Sequence, residues 1–162
     1  MIQRRGSVTV KTFKLHDAFK QINMPVLTKK IVLHTQPGDI IDISHNVQGA
    51  VKETVIRDGI ATIFCPGSTG AISTTEYEPG LVKEDIPALL DQLVDPSTDW
   101  AHHKTWGDHN GAGHLRSFLL KTSLTVPFSQ QKLMLGTWQQ IVFLELDEKP
   151  RDRELVVQVI GE

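Results

Sequence analysis

Hydrophobic spacing changes period several times along this chain, and those changes restrict the fold more than composition does. The closing segment is the clearest case. From Arg153 to Ile160, Leu155, Val157 and Val159 alternate with Glu154, Val156 and Gln158. A period of two sends one set to each face of a strand, so a sheet with one covered face is required. Ser123 to Phe128 and Lys132 to Leu146 read as two further strands, joined around Ser129-Gln130-Gln131. Gly136 marks a bulge or a close approach within the second, and Pro150-Arg151 turns the chain into the last strand.

Earlier segments mix both periods. Val8, Val10, Phe13 and Leu15 lie in a strand-like opening stretch, and the run from His16 to Pro25 is a helical turn or an irregular excursion. Leu27 to Thr35 is rich in β-branched residues and reads as a strand, closed by Pro37-Gly38. Ile40, Ile43, Val47, Ala50 or Val51, and Val55 then recur at three- and four-residue steps, which predicts a helix over 40–56 with Asp39 as its N-cap. Asp58-Gly59 turns the chain into the apolar run Ile60 to Cys65, a buried strand ending at Pro66-Gly67. A second helix is expected from Glu78 to Val94, with Pro79 in its first turn and Pro87 kinking it. A third runs from about Asn110 to Lys121. The sum is one α+β domain over residues 1–162, with about three helices packed on largely antiparallel sheet.

A length of 162 residues is enough for a core without staples. A net charge of −2 offers no basic surface, so a nucleic-acid or membrane partner is not expected. The single Cys65 excludes an internal disulfide and fits a reducing compartment. The start Met-Ile-Gln-Arg-Arg-Gly lacks the apolar core of a signal peptide, and no run has the ~18 apolar residues of a membrane span. A soluble cytoplasmic protein is the expectation.

Chemistry concentrates between Trp100 and His114, where four of the seven histidines fall. Neutral imidazole is the commonest protein metal ligand and titrates nearest neutral pH. His102, His103 and His109 are placed in a loop, and His114 in the first turns of the third helix. Asn110 and His114 are four residues apart and share a face if the helix starts at Asn110. Incidental histidines on a solvated loop are the plain alternative, but four beside Asp108 and Asn110 favour a site. His114 ranks first, as metal ligand or general base, followed by His103 and His109; Asn110 either orients a substrate or caps the helix. Ser68 to Glu76 is small and hydroxyl-rich, read as a loop that either approaches a phosphate closely or is an ordinary tight connection. Glu76 is a candidate for metal or proton, or a surface carboxylate.

Several of these pieces, in this order and spacing, resemble one family. They are Phe64-Cys65-Pro66-Gly67-Ser68-Thr69-Gly70-Ala71-Ile72 leading to Glu76, then Asn110-Gly111-Ala112-Gly113-His114-Leu115. Leu133-Met134-Leu135-Gly136-Thr137-Trp138-Gln139-Gln140-Ile141 follows, and finally Asp147 to Arg153 with Val156-Val157-Gln158-Val159-Ile160-Gly161. Together they resemble the YjbQ-like family, also called secondary thiamine-phosphate synthases, over roughly residues 27–162. The resemblance implies an α+β fold around a β-sandwich-like sheet pair, assembled as a homotrimer with sites near subunit interfaces. It implies transfer of a hydroxymethylpyrimidine from its pyrophosphate to a thiazole phosphate, with release of pyrophosphate. It also implies a divalent metal, zinc or magnesium, at the histidine cluster, with His103, His109 and His114 as candidate ligands.

Arg151 and Arg153 match the arginines of the family's C-terminal turn, where a planar guanidinium fork suits phosphate. With Ser68, Thr69 and Gln139 they form the candidate substrate-binding set, and His103, Asn110, Glu76 and His114 the catalytic one. Trp138 is expected in the core. The chain departs from the family at two places. The usual His-Thr-Thr triplet is here Gly67-Ser68-Thr69, and the acid often found two residues before the helix histidine is Ala112. Two other classes compete: a metal-dependent hydrolase of a phosphorylated small molecule, and a non-enzymatic trimeric protein that binds a metabolite or a metal.

Overall fold

A computed structural model describes residues 24–162, so the strand-like stretch from Val8 to Leu15 lies outside the described residues. Among the described residues eight strands form two sheets. β1 (Val26–Thr35), β8 (Arg151–Gly161), β3 (Gly59–Phe64), β5 (Ser123–Ser129) and β6 (Lys132–Leu133) make a five-stranded sheet in that spatial order. β2 (Ile40–Asp42), β7 (Gln140–Glu145) and β4 (Gly70–Thr75) make a three-stranded one. Every pairing is antiparallel. The alternation at the C-terminus is realised as read: Leu155, Val157 and Val159 are fully buried, while Glu154 and Gln158 are exposed.

The main core joins Ile63, Leu155, Val157 and Val159 of the larger sheet to Ile72, Ile141 and Phe143 of the smaller. α1 (Ser44–Lys52) contributes Val47, Ala50 and Val51. A second cluster of Ala71, Leu90, Val142 and Leu144 lies on the other face of the smaller sheet. α2 (Ile86–Leu93) supplies Leu90, and α4 (Gly111–Leu120) packs on β4. Among the described residues no helix is long and apolar enough to cross a membrane.

Six sequence expectations are corrected. The helix expected over 40–56 is shorter, because Ile40–Asp42 is a strand paired with β7 before α1 begins at Ser44. Steps of three and four among Ile40, Ile43 and Val47 hid a strand-to-helix junction. Asp39 is not the cap; its carboxylate accepts from the Gln36 N–H at 2.7 Å, while Asp42 accepts from the Ser44 N–H at 2.8 Å. The hydroxyl-rich loop is largely strand β4. Its residues are small because they are sandwiched: a Cβ on Gly70 would lie 3.0 Å from both Cys65 Sγ and the Phe143 ring.

The histidine segment contains a short helix, α3 (Ala101–Trp106), closed by Gly107 in the left-handed conformation at φ 72°. Finally, Lys132 to Leu146 is not one strand. It breaks after Leu133 and resumes at Gln140, with a turn between in which the Gln139 N–H donates to the Gly136 carbonyl at 3.0 Å. That turn carries Trp138 outward, 70% exposed, and not into the core. The second helix is interrupted as Pro87 requires: a π-helical turn, Leu81–Asp85, precedes α2, because proline has no N–H to continue an α ladder.

Candidate functional site

α4 separates two clefts. The first, about 350 Å³, lies between the Pro37–Gly38 turn, α2, and the end of β7. Its walls include His109, Asn110, Arg116, Asp91, Asp147 and Glu148. The second, about 470 Å³ and more open, is lined by Gly67, Ser68, His114, Ser117, Phe118, Lys121, Thr122 and Ser123. No carboxylate is among those eight, whereas a lysine, a histidine and four hydroxyls are. One hydroxyl is committed, because Ser117 Oγ donates to the Gly70 carbonyl at 2.7 Å.

α3 and α4 bring the histidines together as two pairs. The rings of His102 and His114 have centroids 4.6 Å apart and are tilted by 58°. Those of His103 and His109 are 5.0 Å apart, edge to face. Asn110 caps nothing with its side chain; its Oδ1 lies 3.2 Å from His102 Nε2, which must donate the hydrogen. His102 thus touches both ends of the Asn110–His114 turn, the shared face expected from their spacing. His102 Nε2 is also 3.2 Å from Asp108 Oδ1, but without hydrogen-bond geometry, and that oxygen is buried without a partner. His103 Nε2 is likewise buried and unpartnered.

The expected ligand trio is divided between these pairs: His114 lies against His102, and His103 against His109. Among the described residues no group of three or more His, Cys, Asp or Glu side chains converges as a metal-ligand set. The described donors of one chain therefore do not fit a resident metal, and no chemistry is assigned to one.

Behind both clefts lies a buried charge network. Glu145 is fully buried, and the Arg153 side chain is 11% exposed. Arg153 Nε donates to Glu145 Oε2 at 2.7 Å and Nη2 donates to Oε1, a two-pronged clasp. Nη2 also donates to Thr69 Oγ1 at 3.0 Å, and that hydroxyl passes its own hydrogen to Asp147 Oδ2 at 2.9 Å. Arg151 Nη2 reaches the same Asp147 oxygen at 2.8 Å. Thr35 closes the network on Glu145 Oε2 at 2.7 Å. Burial pushes the Asp147 carboxyl up, but the bonds from Thr69 and Arg151 outweigh it and hold it below the usual carboxylate range. The Glu145 clasp raises the Arg153 pKa further. Burial raises the Cys65 thiol, which disfavours its thiolate.

Of the candidate residues, Ser68 and His114 share the open cleft, and His109 and Asn110 share the narrower one. Thr69, Arg151 and Arg153 form the network between, with most of Arg153's donors engaged by protein. Arg153 Nη1 lies 3.2 Å from where a Cβ on Gly67 would sit, so glycine at this position leaves room over the guanidinium. Glu76 and Gln139 stand apart. β4 runs away from Thr69, so Glu76 lies on the order of 20 Å along the strand. Gln139 donates to Thr74 Oγ1 at 3.1 Å beside it.

The sequence reading missed Lys121, Glu145 and Asp147. For Glu145 a signal existed: one acid inside the apolar run Ile141 to Leu146, which burial would force to find a cation.

Comparison with known proteins bears on this arrangement. The family model described as UPF0047 protein YjbQ-like matches residues 29–162. The chain belongs to the YjbQ-like UPF0047 family. A UPF0047 protein of Methanothermobacter thermautotrophicus is 39% identical over 139 residues, covering 85% of this chain and 94% of that one. UPF0047 protein YugU of Bacillus subtilis is 32% identical over 127 residues, covering 78% and 93%. Among solved structures, a YbjQ-like protein of Sulfolobus solfataricus superposes with a TM-score of 0.81 at 34% identity, over 86% of this chain and all of that one. The paired antiparallel sheets and flanking helices are therefore the YjbQ-like fold.

Proposed function

We propose that this YjbQ-like chain binds phosphorylated heterocycles in the clefts beside α4 and joins a hydroxymethylpyrimidine pyrophosphate to a thiazole phosphate. The observation that carries the reading is the open cleft, where Ser68, His114 and Lys121 meet with no carboxylate among the lining residues. Such a wall favours a polyanion. The exposed Phe118 ring on the same wall offers a flat face to the attached heterocycle.

The chemistry asks for little acid–base work. The bond from the pyrimidine methylene carbon to pyrophosphate oxygen breaks, its electron pair leaving on oxygen. The thiazole nitrogen lone pair forms the new carbon–nitrogen bond. No proton need move, so catalysis is placement of two partners and stabilisation of the departing charge. His114 donates a hydrogen bond to the departing oxygen, and His102 holds the His114 ring and the Asn110 amide in place. Ser68 and the lysine ammonium take the remaining phosphate oxygens. Arg153 positions Thr69 and the strand ends. Assembly as a homotrimer belongs to the same reading; exposed Val26, Val32, Ile60 and Phe64 on the outer face of the larger sheet support it.

The test is formation of thiamine phosphate from both substrates by the wild-type chain and by His114→Ala. Product from the wild type, reduced at least tenfold in the variant, is expected. Pyrophosphate release without the thiazole partner would identify a hydrolase instead, and tight binding without turnover a carrier.

A further inference from the structure

Lys121 ends α4 with φ 77° and ψ 155°. This is a region of backbone space that is essentially reserved for glycine, because a Cβ there meets the neighbouring peptide groups. The other two non-glycine residues with positive φ, Gln130 and Gln131, sit near 50–60° in the hairpin between β5 and β6, among the described residues. Lys121 is not in a hairpin. Its N–H donates to the Ser117 carbonyl at 2.9 Å, and its own carbonyl accepts from the Ile72 N–H at 3.2 Å. Helix end and β4 thus pin the peptide on both sides, and the residue cannot relax.

The side chain that the chain keeps there instead faces the anion-suited cleft. The Lys121 ammonium rests 4.9 Å from the centroid of the Phe118 ring, and Phe118 is 72% exposed. Its neighbours on the cleft wall are Ser68, His114, Thr122 and Ser123, none of them acidic. No salt bridge holds it among the described residues. A contact with one exposed aromatic face is weak and leaves the cation free to move to a stronger partner.

We propose that Lys121 is the principal anion-binding residue of this cleft, held in a glycine-type backbone conformation because the ammonium is needed beside Ser68 and His114. The ligand class is a pyrophosphate or phosphate ester, with the Phe118 ring available to an attached heterocycle once the lysine swings away. The assignment deepens the coupling reading above and rests on it for the identity of the heterocycle, but not for anion binding.

The experiment uses the full chain, with inorganic pyrophosphate as probe in calorimetric titration and thermal unfolding of the same samples. Lys121→Ala, Lys121→Gly and Lys121→Arg are compared. Alanine and glycine should each weaken pyrophosphate binding about tenfold or more, and arginine should retain it. Only glycine relieves the backbone, so Lys121→Gly should melt roughly 2–6 °C above Lys121→Ala. Pyrophosphate affinity unchanged in Lys121→Ala would overturn the proposal. So would a glycine variant no more stable than the alanine variant. Retained pyrophosphate binding with no thiamine phosphate formed would sink the synthase reading and leave Lys121 in place. Coupling with normal pyrophosphate affinity in Lys121→Ala would do the reverse.

Discussion

Replacing Arg153 by alanine separates two roles that its sequence position leaves open. As a phosphate ligand it would cost binding and little stability. The structure instead makes it the counter-ion of Glu145, which is fully buried between the sheets. Arg153→Ala removes both prongs of the Glu145 clasp and the bonds to Thr69 Oγ1 and the Thr69 carbonyl. An uncompensated buried charge costs about 3–5 kcal/mol, and the slight exposure of Arg153 argues for the lower end. For a chain of this size about 3 kcal/mol lowers the unfolding midpoint by roughly 6–12 °C. Urea or thermal unfolding followed by circular dichroism measures it. The double replacement Glu145→Leu with Arg153→Leu should recover most of the loss, because the buried charge leaves with its partner. A fall of less than about 3 °C in Arg153→Ala would refute the reasoning and return Arg153 to the ligand-binding set.

Two further outcomes follow from the same geometry. Because the folded Asp147 carboxyl titrates lower than its unfolded value, it contributes stability above the unfolded pKa of about 3.9 that is lost as pH falls through the folded pKa. Asp147→Asn should therefore be less stable than wild type near pH 7 and show a flatter midpoint-versus-pH curve below about pH 4; parallel curves would contradict it. Gly113→Ala offers an opposed-sign test. Helix propensity alone predicts a gain of about 1 kcal/mol. A Cβ there would lie 2.1 Å from the Leu146 carbonyl oxygen, so a loss of about 2 kcal/mol or more is expected in chemical denaturation.

The candidate site was legible in part. Asn110 and His114 were recognisable from a four-residue step before an apolar helical face, and His102 does bridge them. Ser68 was found from its small, hydroxyl-rich surroundings and does line a cleft with His114. Residue type alone could not order the other histidines, because partners depend on how α3 folds back on α4. Arg153 was read as a phosphate ligand through its planar fork; in the structure that fork clasps the Glu145 carboxylate. Lys121 carried no signal as a ligand; a lysine after a helix looks like a solvated end until its backbone angles are known.

The sequence by itself determined the alternating C-terminal strand, the third helix, the interruption at Pro87 and the α+β class. Each follows from local period or from a residue that forbids a local conformation. Only the tertiary structure decided that Gly70-Ala71-Ile72 is a buried strand, that the histidines form two pairs, and that Arg153 lies against Glu145. Those outcomes depend on which distant segment arrives opposite. β4 meets β7 across sixty-five to seventy-five residues of chain, at Thr75↔Gln140 and Gly70↔Glu145. Local spacing fixes which face a side chain takes, and the packing of the two sheets fixes what it meets there.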